Sequence, residues 1–283
     1  MTDTRGSSPG APSSAQADTA ARDLDPTRLQ ARLTTAWLGR KHVHLATCAS
    51  TNDRAAEEAK AGAAEGLLVT TDRQTDGRGR LGRVWIAPAG ENLTFSLLLR
   101  PRRPPPEIPP LTLLAGGAVA EALSTLGFAA RVKWPNDVLL RGPGGARKVA
   151  GILTEATTVG ERIGHVVVGI GINVNTASFP DDLTDKATSL RLTGGGALDL
   201  VEVLARVLTS FETAYENFRA MGPAAAIPLW EAHADRLLRS KALIDGHEIE
   251  GVAVGVLPDG SLQIRDDDDV IHRIVAGEVL TTG

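Results

Sequence analysis

Gly77-Arg78-Gly79-Arg80-Leu81-Gly82-Arg83, with Trp85 close behind, is the stretch around which the rest of this chain organises itself. Three arginines and three glycines fall within seven residues of a protein whose net charge is −4. Glycine removes the Cβ, so backbone N–H groups can come close to a ligand. Arginine offers a planar fork of donors that matches phosphate or carboxylate. Gly-Arg runs also occur in arms that lie in the minor groove of A·T-rich DNA. Context favours a small-anion loop. The run is a single copy, the net charge is negative, and apolar segments flank it at Leu67-Leu68-Val69 and at Leu93 to Leu99.

The 283 residues, 42 % of them hydrophobic, suffice for one large domain and one small one. Cys48 is the single cysteine, so no internal disulfide can form, and it reads as a small apolar residue rather than a nucleophile. No apolar run approaches the ~20 residues of a membrane span, and no secretory leader is evident at the N-terminus. These features predict a cytoplasmic protein.

Working outward, Met1 to about Asp23 is rich in Ser, Ala, Pro, Gly and Asp and reads as a disordered tail. Leu29, Leu33 and Trp37 are spaced for one helical face, and Val43 to Leu45 for a short strand. Ser50-Thr51-Asn52 caps a helix running towards Gly62, and Leu67 to Thr71 is a strand. After the Gly-Arg loop and the strand Leu93 to Leu99 comes a stiff Pro-rich connection, then a helix carrying Leu111, Leu114, Ala118, Ala122 and Leu126. Ala130 to Trp134, Val138 to Leu140, Val149 to Thr157 and His165 to Asn175 predict an antiparallel meander with glycine turns. Asp199 caps a long helix from Leu200 to Phe218, and Leu229, Trp230 and Leu237 form a last helical segment. Beyond Arg239 short alternating runs around Asp259-Gly260 predict a small β-barrel of ~45 residues. Asp266 to Asp269 reads as a solvated hairpin tip, since Ca²⁺-loop spacing is missing.

Three further segments can carry chemistry. Pro135 cannot continue a ladder, so Asn136 and Asp137 turn out at a strand end. Lys148 is one cation at the start of an apolar strand, a place where a lysine can equally guard a sheet edge. Gly169 to Asn175 sets glycines and asparagines in an apolar strand, a pattern that marks close approach of a ligand or another backbone. Val174 stands where a dinucleotide fingerprint needs its third glycine. No P-loop, zinc spacing or nucleophile elbow is present.

Taken in order, Ser50-Thr51-Asn52, Gln74 with Gly77 to Arg83 and Trp85, Lys133 to Asp137, Lys148 to Leu153, and Gly169 to Asn173 resemble one family, the biotin–protein ligases. The resemblance covers roughly residues 40–180 by motif. It implies an α+β fold, a mixed central sheet flanked by helices as in class II synthetases and biotin/lipoate ligases, with an SH3-like C-terminal β-barrel. The expected division is a tail at 1–23, a catalytic domain at 24–236 and a β-domain at 237–283.

The resemblance also implies a reaction: biotin and MgATP give biotinoyl-5′-AMP and pyrophosphate, and the adenylate then acylates a lysine of a carboxylase's biotin carboxyl carrier domain. Acetyl-CoA carboxylase, or another acyl-CoA carboxylase, would supply that domain. By the family pattern Ser50, Thr51, Asn52 and Gln74 bind biotin's head group or chain, and Gly151 and Leu153 line its floor. Arg78 and Arg80 hold the carboxylate and phosphates, with Gly79 keeping the loop close. Lys148 stabilises charge developing between carboxylate and α-phosphate. Arg83, Trp85, Lys133, Asn136 and Asn173 belong to the ATP or adenylate side. Asp137 either binds Mg²⁺ or receives the target lysine's proton. Leu81 stands where members often carry a polar or basic residue. Some members also bind DNA through an N-terminal winged helix; the polar tail predicts no DNA partner here, and a homodimer through a sheet edge is compatible with such a fold.

Overall fold

A computed structural model describes residues 24–142, 145–235, 239–244, 247–275, 277 and 279–282. The tail to residue 23, the centre of the Gly142 to Gly145 turn, and Leu237 lie outside the described residues. The elements in order are α1 (Pro26–Arg32), β1 (His42–Cys48), α2 (Thr51–Lys60), β2 (Leu68–Gln74), β3 (Leu93–Leu99), α3 (Pro110–Thr125), β4 (Ala130–Lys133), β5 (Asp137–Gly142), β6 (Gly145–Val159) and β7 (Arg162–Ile172). Then follow α4 (Leu190–Gly194), α5 (Leu200–Met221), α6 (Ala226–His233), β8 (Arg239–Ile244), β9 (His247–Val256), β10 (Leu262–Arg265), β11 (Ile271–Ile274) and β12 (Val279–Thr282).

Seven strands form one mixed sheet in the order β1-β2-β3-β7-β6-β5-β4. β1 and β2 run parallel because α2 carries the chain back between them, and every other neighbour is antiparallel. The predicted meander is β4 to β7. The C-terminal strands form a separate five-stranded antiparallel sheet, β11-β10-β9-β8-β12, whose β9–β10 hairpin turns at Asp259-Gly260.

Strand alternation sorts the large sheet into two faces. Phe95, Leu97 and Leu99 of β3 and Val168, Ile170 and Ile172 of β7 point into the main core, which α3 and α5 close. On α5 the expected stripe from Leu200 to Phe218 is buried. α3 is buried nearly all round, because sheet, α5 and α6 surround it. The opposite sheet face carries Thr94, Ser96 and Leu98 of β3 and Val167, Gly169 and Gly171 of β7. There α2 covers one end through Ala55, Ala59, Leu98 and Val167. The uncovered remainder of that face is the floor of a cleft.

Two expectations change. The helix from Leu29 does not reach Trp37: it stops at Arg32, with Leu33 extended. The Glu212 carboxylate of α5 instead accepts the N–H groups of Ala36, Trp37 and Leu38, and Arg40 donates to the carbonyls of Leu33 and Thr35. These distant partners hold the segment in turns. β6 is also far longer than Val149 to Thr157, because β5 and β7 pair with both its ends.

Candidate active site in the sheet-face cleft

The cleft has a volume of about 830 Å³, within the range of small-molecule sites. All sixteen residues singled out from the sequence line it: Ser50, Thr51, Asn52, Gln74, Arg78, Gly79, Arg80, Arg83, Trp85, Lys133, Asn136, Asp137, Lys148, Gly151, Leu153 and Asn173.

One end is a network of neutral donors and acceptors at the N-terminus of α2. Ser50 caps the helix by accepting from the Asn52 N–H at 3.3 Å. Gln74 Oε1 accepts from the Thr51 N–H at 2.8 Å and lies 3.1 Å from its hydroxyl. Asn52 is consumed within the protein: Ser96 Oγ donates to its Oδ1 at 2.6 Å, and its Nδ2 donates to Glu155 Oε2 at 2.6 Å and to the Leu153 carbonyl at 3.3 Å. Asn52 therefore fixes the helix start to the floor. Gly169 makes room for it, since a Cβ there would overlap the Asn52 amide. Asn136 is likewise engaged, donating to the Ile152 carbonyl at 2.9 Å.

The Gly-Arg loop folds as a small hairpin across the cleft. Gly77 O accepts from Trp85 N at 2.8 Å, Arg83 O from Gly79 N at 2.7 Å, and the tip turns through Arg80–Gly82 with Leu81 at φ 56°. Gly77 is required because a Cβ would overlap the Trp85 carbonyl. The Trp85 indole reaches the floor and rests on Gly151 and Gly171. Leu81 is 74 % exposed and takes no part in the floor.

At the other end, Lys148 Nζ lies 2.5 Å from Asp137 Oδ1 and 5.7 Å from the centre of the Trp85 ring. A bulge puts the lysine there. Val138 pairs with Ala150, but Leu139 pairs with Lys148, so Val149 is an extra residue in β6. Without it, alternation would turn Lys148 to the core side with Ala150 and Ile152. Arg80 has no hydrogen-bond or ion-pair partner among the described residues, whereas Arg78 donates to Asp53. That hydrogen bond, with partial burial opposing it and the charges of Glu155 and Asp76 adding to it, raises the Arg78 pKa. Two buried polar atoms of the cleft have no partner among the described residues, Trp85 Nε1 and Asn173 Oδ1; Asn173 Nδ2 donates to the Thr188 carbonyl at 3.1 Å. A buried donor and acceptor left open in a cleft mark positions for a ligand.

Residues 45–173 match the family model of the biotin/lipoate A/B protein ligase family. Over 262 residues the chain is 36 % identical to the bifunctional ligase/repressor BirA of Bacillus spizizenii, covering 90 % of this chain and 78 % of that protein. The chain belongs to the biotin–protein ligase family. It is also 36 % identical to the biotin–[acetyl-CoA-carboxylase] ligase of Paracoccus denitrificans, covering 78 % of this chain and 92 % of that one. The structure of a biotin protein ligase from Aquifex aeolicus in complex with biotin and ATP superposes with a TM-score of 0.72 at 31 % identity, over 86 % of this chain and 99 % of that one.

Relative to the sequence reading of this biotin–protein ligase family member, the structure adds residues both behind the cleft and along its wall. Ser96 and Glu155 hold Asn52, Asp53 holds Arg78, and the segment from Thr176 to Ala187 forms a wall through Phe179, Leu183 and Asp185. Ser96 left a signal, the one hydroxyl within Leu-Thr-Phe-Ser-Leu-Leu-Leu that shares a face with Thr94. The wall left none: it is tied to β6 by two backbone bonds, Lys148 N donating to Lys186 O at 2.8 Å and Thr188 N to Lys148 O at 2.9 Å, and by an ion pair of Arg147 with Asp185 at 3.5 Å whose partners lie far apart in the chain.

Proposed function

We propose that this chain joins biotin to ATP as biotinoyl-5′-AMP and transfers the biotinoyl group to a lysine of a biotin carboxyl carrier domain. The observation that carries the reading is a single cleft running from the neutral network at Ser50, Thr51 and Gln74 to the cations Arg80 and Lys148. A neutral ureido ring needs paired donors and acceptors, whereas a carboxylate meeting a phosphate needs fixed positive charge. Gln74 Nε2, with no partner among the described residues, and the Ser50 hydroxyl suit the first. Arg80 and Lys148 suit the second.

In the first step a biotin carboxylate oxygen attacks the α-phosphorus and pyrophosphate leaves. Lys148, once it exchanges Asp137 for the substrate, stabilises the charge at the reacting oxygens. In the second step the acceptor lysine amine attacks the acyl carbon, AMP leaves and a proton is lost. Asp137 is the carboxylate beside Lys148 that can take that proton. Asp137 is also the carboxylate of the cleft beside the reacting groups, an oxygen donor of the kind a hard cation held mainly through phosphates takes. Mg²⁺ bound with ATP would neutralise phosphate charge there, with Asp137 as its protein partner.

Relatives carry acetyl-CoA carboxylase in their names, and the acceptor proposed here is of that class. No helix among the described residues is long and apolar enough to cross a membrane, and we place the reaction in the cytoplasm. ATP–pyrophosphate exchange, run with biotin and in parallel with lipoate, tests the reading. Exchange with biotin alone supports it. Exchange with lipoate alone, or with neither, overturns it.

A further inference from the structure

The two leading arginines of the Gly-Arg loop are in different states. Arg80 has no side-chain partner among the described residues. Arg78 Nη2 lies 2.5 Å from Asp53 Oδ1 and 3.9 Å from Glu155 Oε1. The two carboxylates come from separate elements, the first turn of α2 and the site face of β6. Glu155 uses its other oxygen to accept from Asn52 Nδ2 at 2.6 Å. Arg78 thus closes a bridge between the start of α2, β6 and the base of the hairpin, while Trp85 anchors the other leg on the glycine floor. Asp53 and Glu155 are not among the residues that line the cleft; their carboxylates face Arg78.

We propose that Asp53 and Glu155 are positioning residues, a two-carboxylate socket that seats Arg78 and so holds the Gly77–Trp85 hairpin over the cleft. Arg78 then acts through the loop, and Arg80 is the arginine presented to the substrate anion. What the loop covers rests on the proposed function. The seating of the loop does not. A competing role for Asp53 is to complement the positive end of the helix dipole. A charge swap separates the two, because it worsens the helix terminus while keeping the pair.

Hydrogen exchange at the Gly79 and Trp85 amides of the ligand-free protein reads the seating directly, since both donate within the hairpin. Asp53→Asn and Glu155→Gln are expected to speed exchange at these two amides by about 2–5-fold, the equivalent of losing a partly exposed ion pair. Exchange in β6 and β7 and the melting temperature stay unchanged, since glutamine still offers Asn52 an oxygen. The double variant Asp53→Arg with Arg78→Asp is expected to restore part of the protection, since the ion pair between positions 53 and 78 returns while the carboxylate at position 78 faces Glu155. Wild-type exchange in both single variants, or no restoration in the swap, overturns the socket. With ligand, the single variants are expected to raise the biotin KM and the rate of biotinoyl-AMP release, with kcat held within about twofold. The swap is expected to move both part of the way back to wild type. If the swap restores the loop but not adenylate retention, Arg78 touches the ligand and its assignment to the loop is wrong. If loop exchange responds as expected but the wild-type protein binds neither biotin nor ATP, the socket stands and the ligase reading falls.

Discussion

Gly151 and Gly171 are paired across the β6–β7 ladder, and the Trp85 indole rests on both. Adjacent glycines in neighbouring strands form a bare shelf where side chains would otherwise stand. A Cβ on Gly171 would overlap the indole, and one on Gly151 would come within 3.0 Å of Lys148 Nζ and 3.3 Å of the ring. Gly171→Ala is expected to lift Trp85 from the floor without breaking the sheet. Biotin-dependent pyrophosphate exchange should fall at least about tenfold, in line with the cost of misplacing a positioned group. Adding Trp85→Ala to Gly171→Ala should cost little more. Full additivity of the two would show that the shelf and the indole act separately.

Lys148→Ala leaves the Asp137 carboxylate without its 2.5 Å partner. The pair is partly exposed, with side chains 32 % and 24 % accessible, so water can reclaim the carboxylate and the fold survives. The exchange rate should fall on the order of 10²–10³-fold, as for removal of one preorganised electrostatic donor. A normal turnover number would remove Lys148 from the mechanism.

Arg80→Gly deletes the cation that has no partner to lose among the described residues. A charge-assisted hydrogen bond contributes about 1.5–3 kcal/mol, so biotinoyl-AMP should dissociate roughly 10–100-fold faster. The melting temperature should not move. An unaltered release rate in a single-turnover chase would count against the assignment.

Ser96 is fully buried and donates to Asn52 Oδ1. Ser96→Ala strands that acceptor, and Asn52 is itself only 4 % exposed. The expected cost is about 1–3 kcal/mol of stability, read from the denaturant midpoint, together with weaker biotin binding as the start of α2 loosens. Unchanged stability would mean that Asn52 finds another donor.

His42 sits on the edge strand β1 with Nε2 2.8 Å from Thr70 Oγ1 and a buried Nδ1 that has no partner among the described residues. Burial, and then the neighbouring His44, lower its pKa from 6.5 to about 4. Between those values the unfolded chain takes up a proton that the native protein refuses, so stability is full above pH 6.5 and falls as the pH drops towards 4. The loss of melting temperature from pH 7 to pH 5 should shrink in His42→Gln. An equal loss in both proteins would assign the pH dependence elsewhere.

Much of the site was legible because its motifs, in order, resemble those of one family, and some of its residues also follow local rules. The alternation that puts Thr94 and Ser96, Gly151 and Leu153, and Gly169 and Gly171 on one face is written in the strands. Ser50 announces a helix cap, and the spacing of glycines and arginines announces an anion loop. The partners of these residues were not legible. Asp53 and Glu155 resemble any charged residue on a helix start or a strand end until Arg78 arrives from a distant segment. The turn at Ala36 to Leu38 was misread as helix because Glu212, which holds it, lies far along the chain.

The sequence by itself determined most element types and the two-sheet division, since periodicity and turn chemistry are properties of adjacent residues, and the resemblance of its ordered motifs to one family named the residues that gather in the cleft. Only the tertiary structure decided the face from which Lys148 acts. By alternation from Gly151 its side chain belongs with the core. The extra residue Val149 shifts the pairing with β5 and turns the lysine towards Asp137. A strand's side-chain parity is set by its hydrogen-bond register with its neighbours, and that register exists only once the sheet has formed.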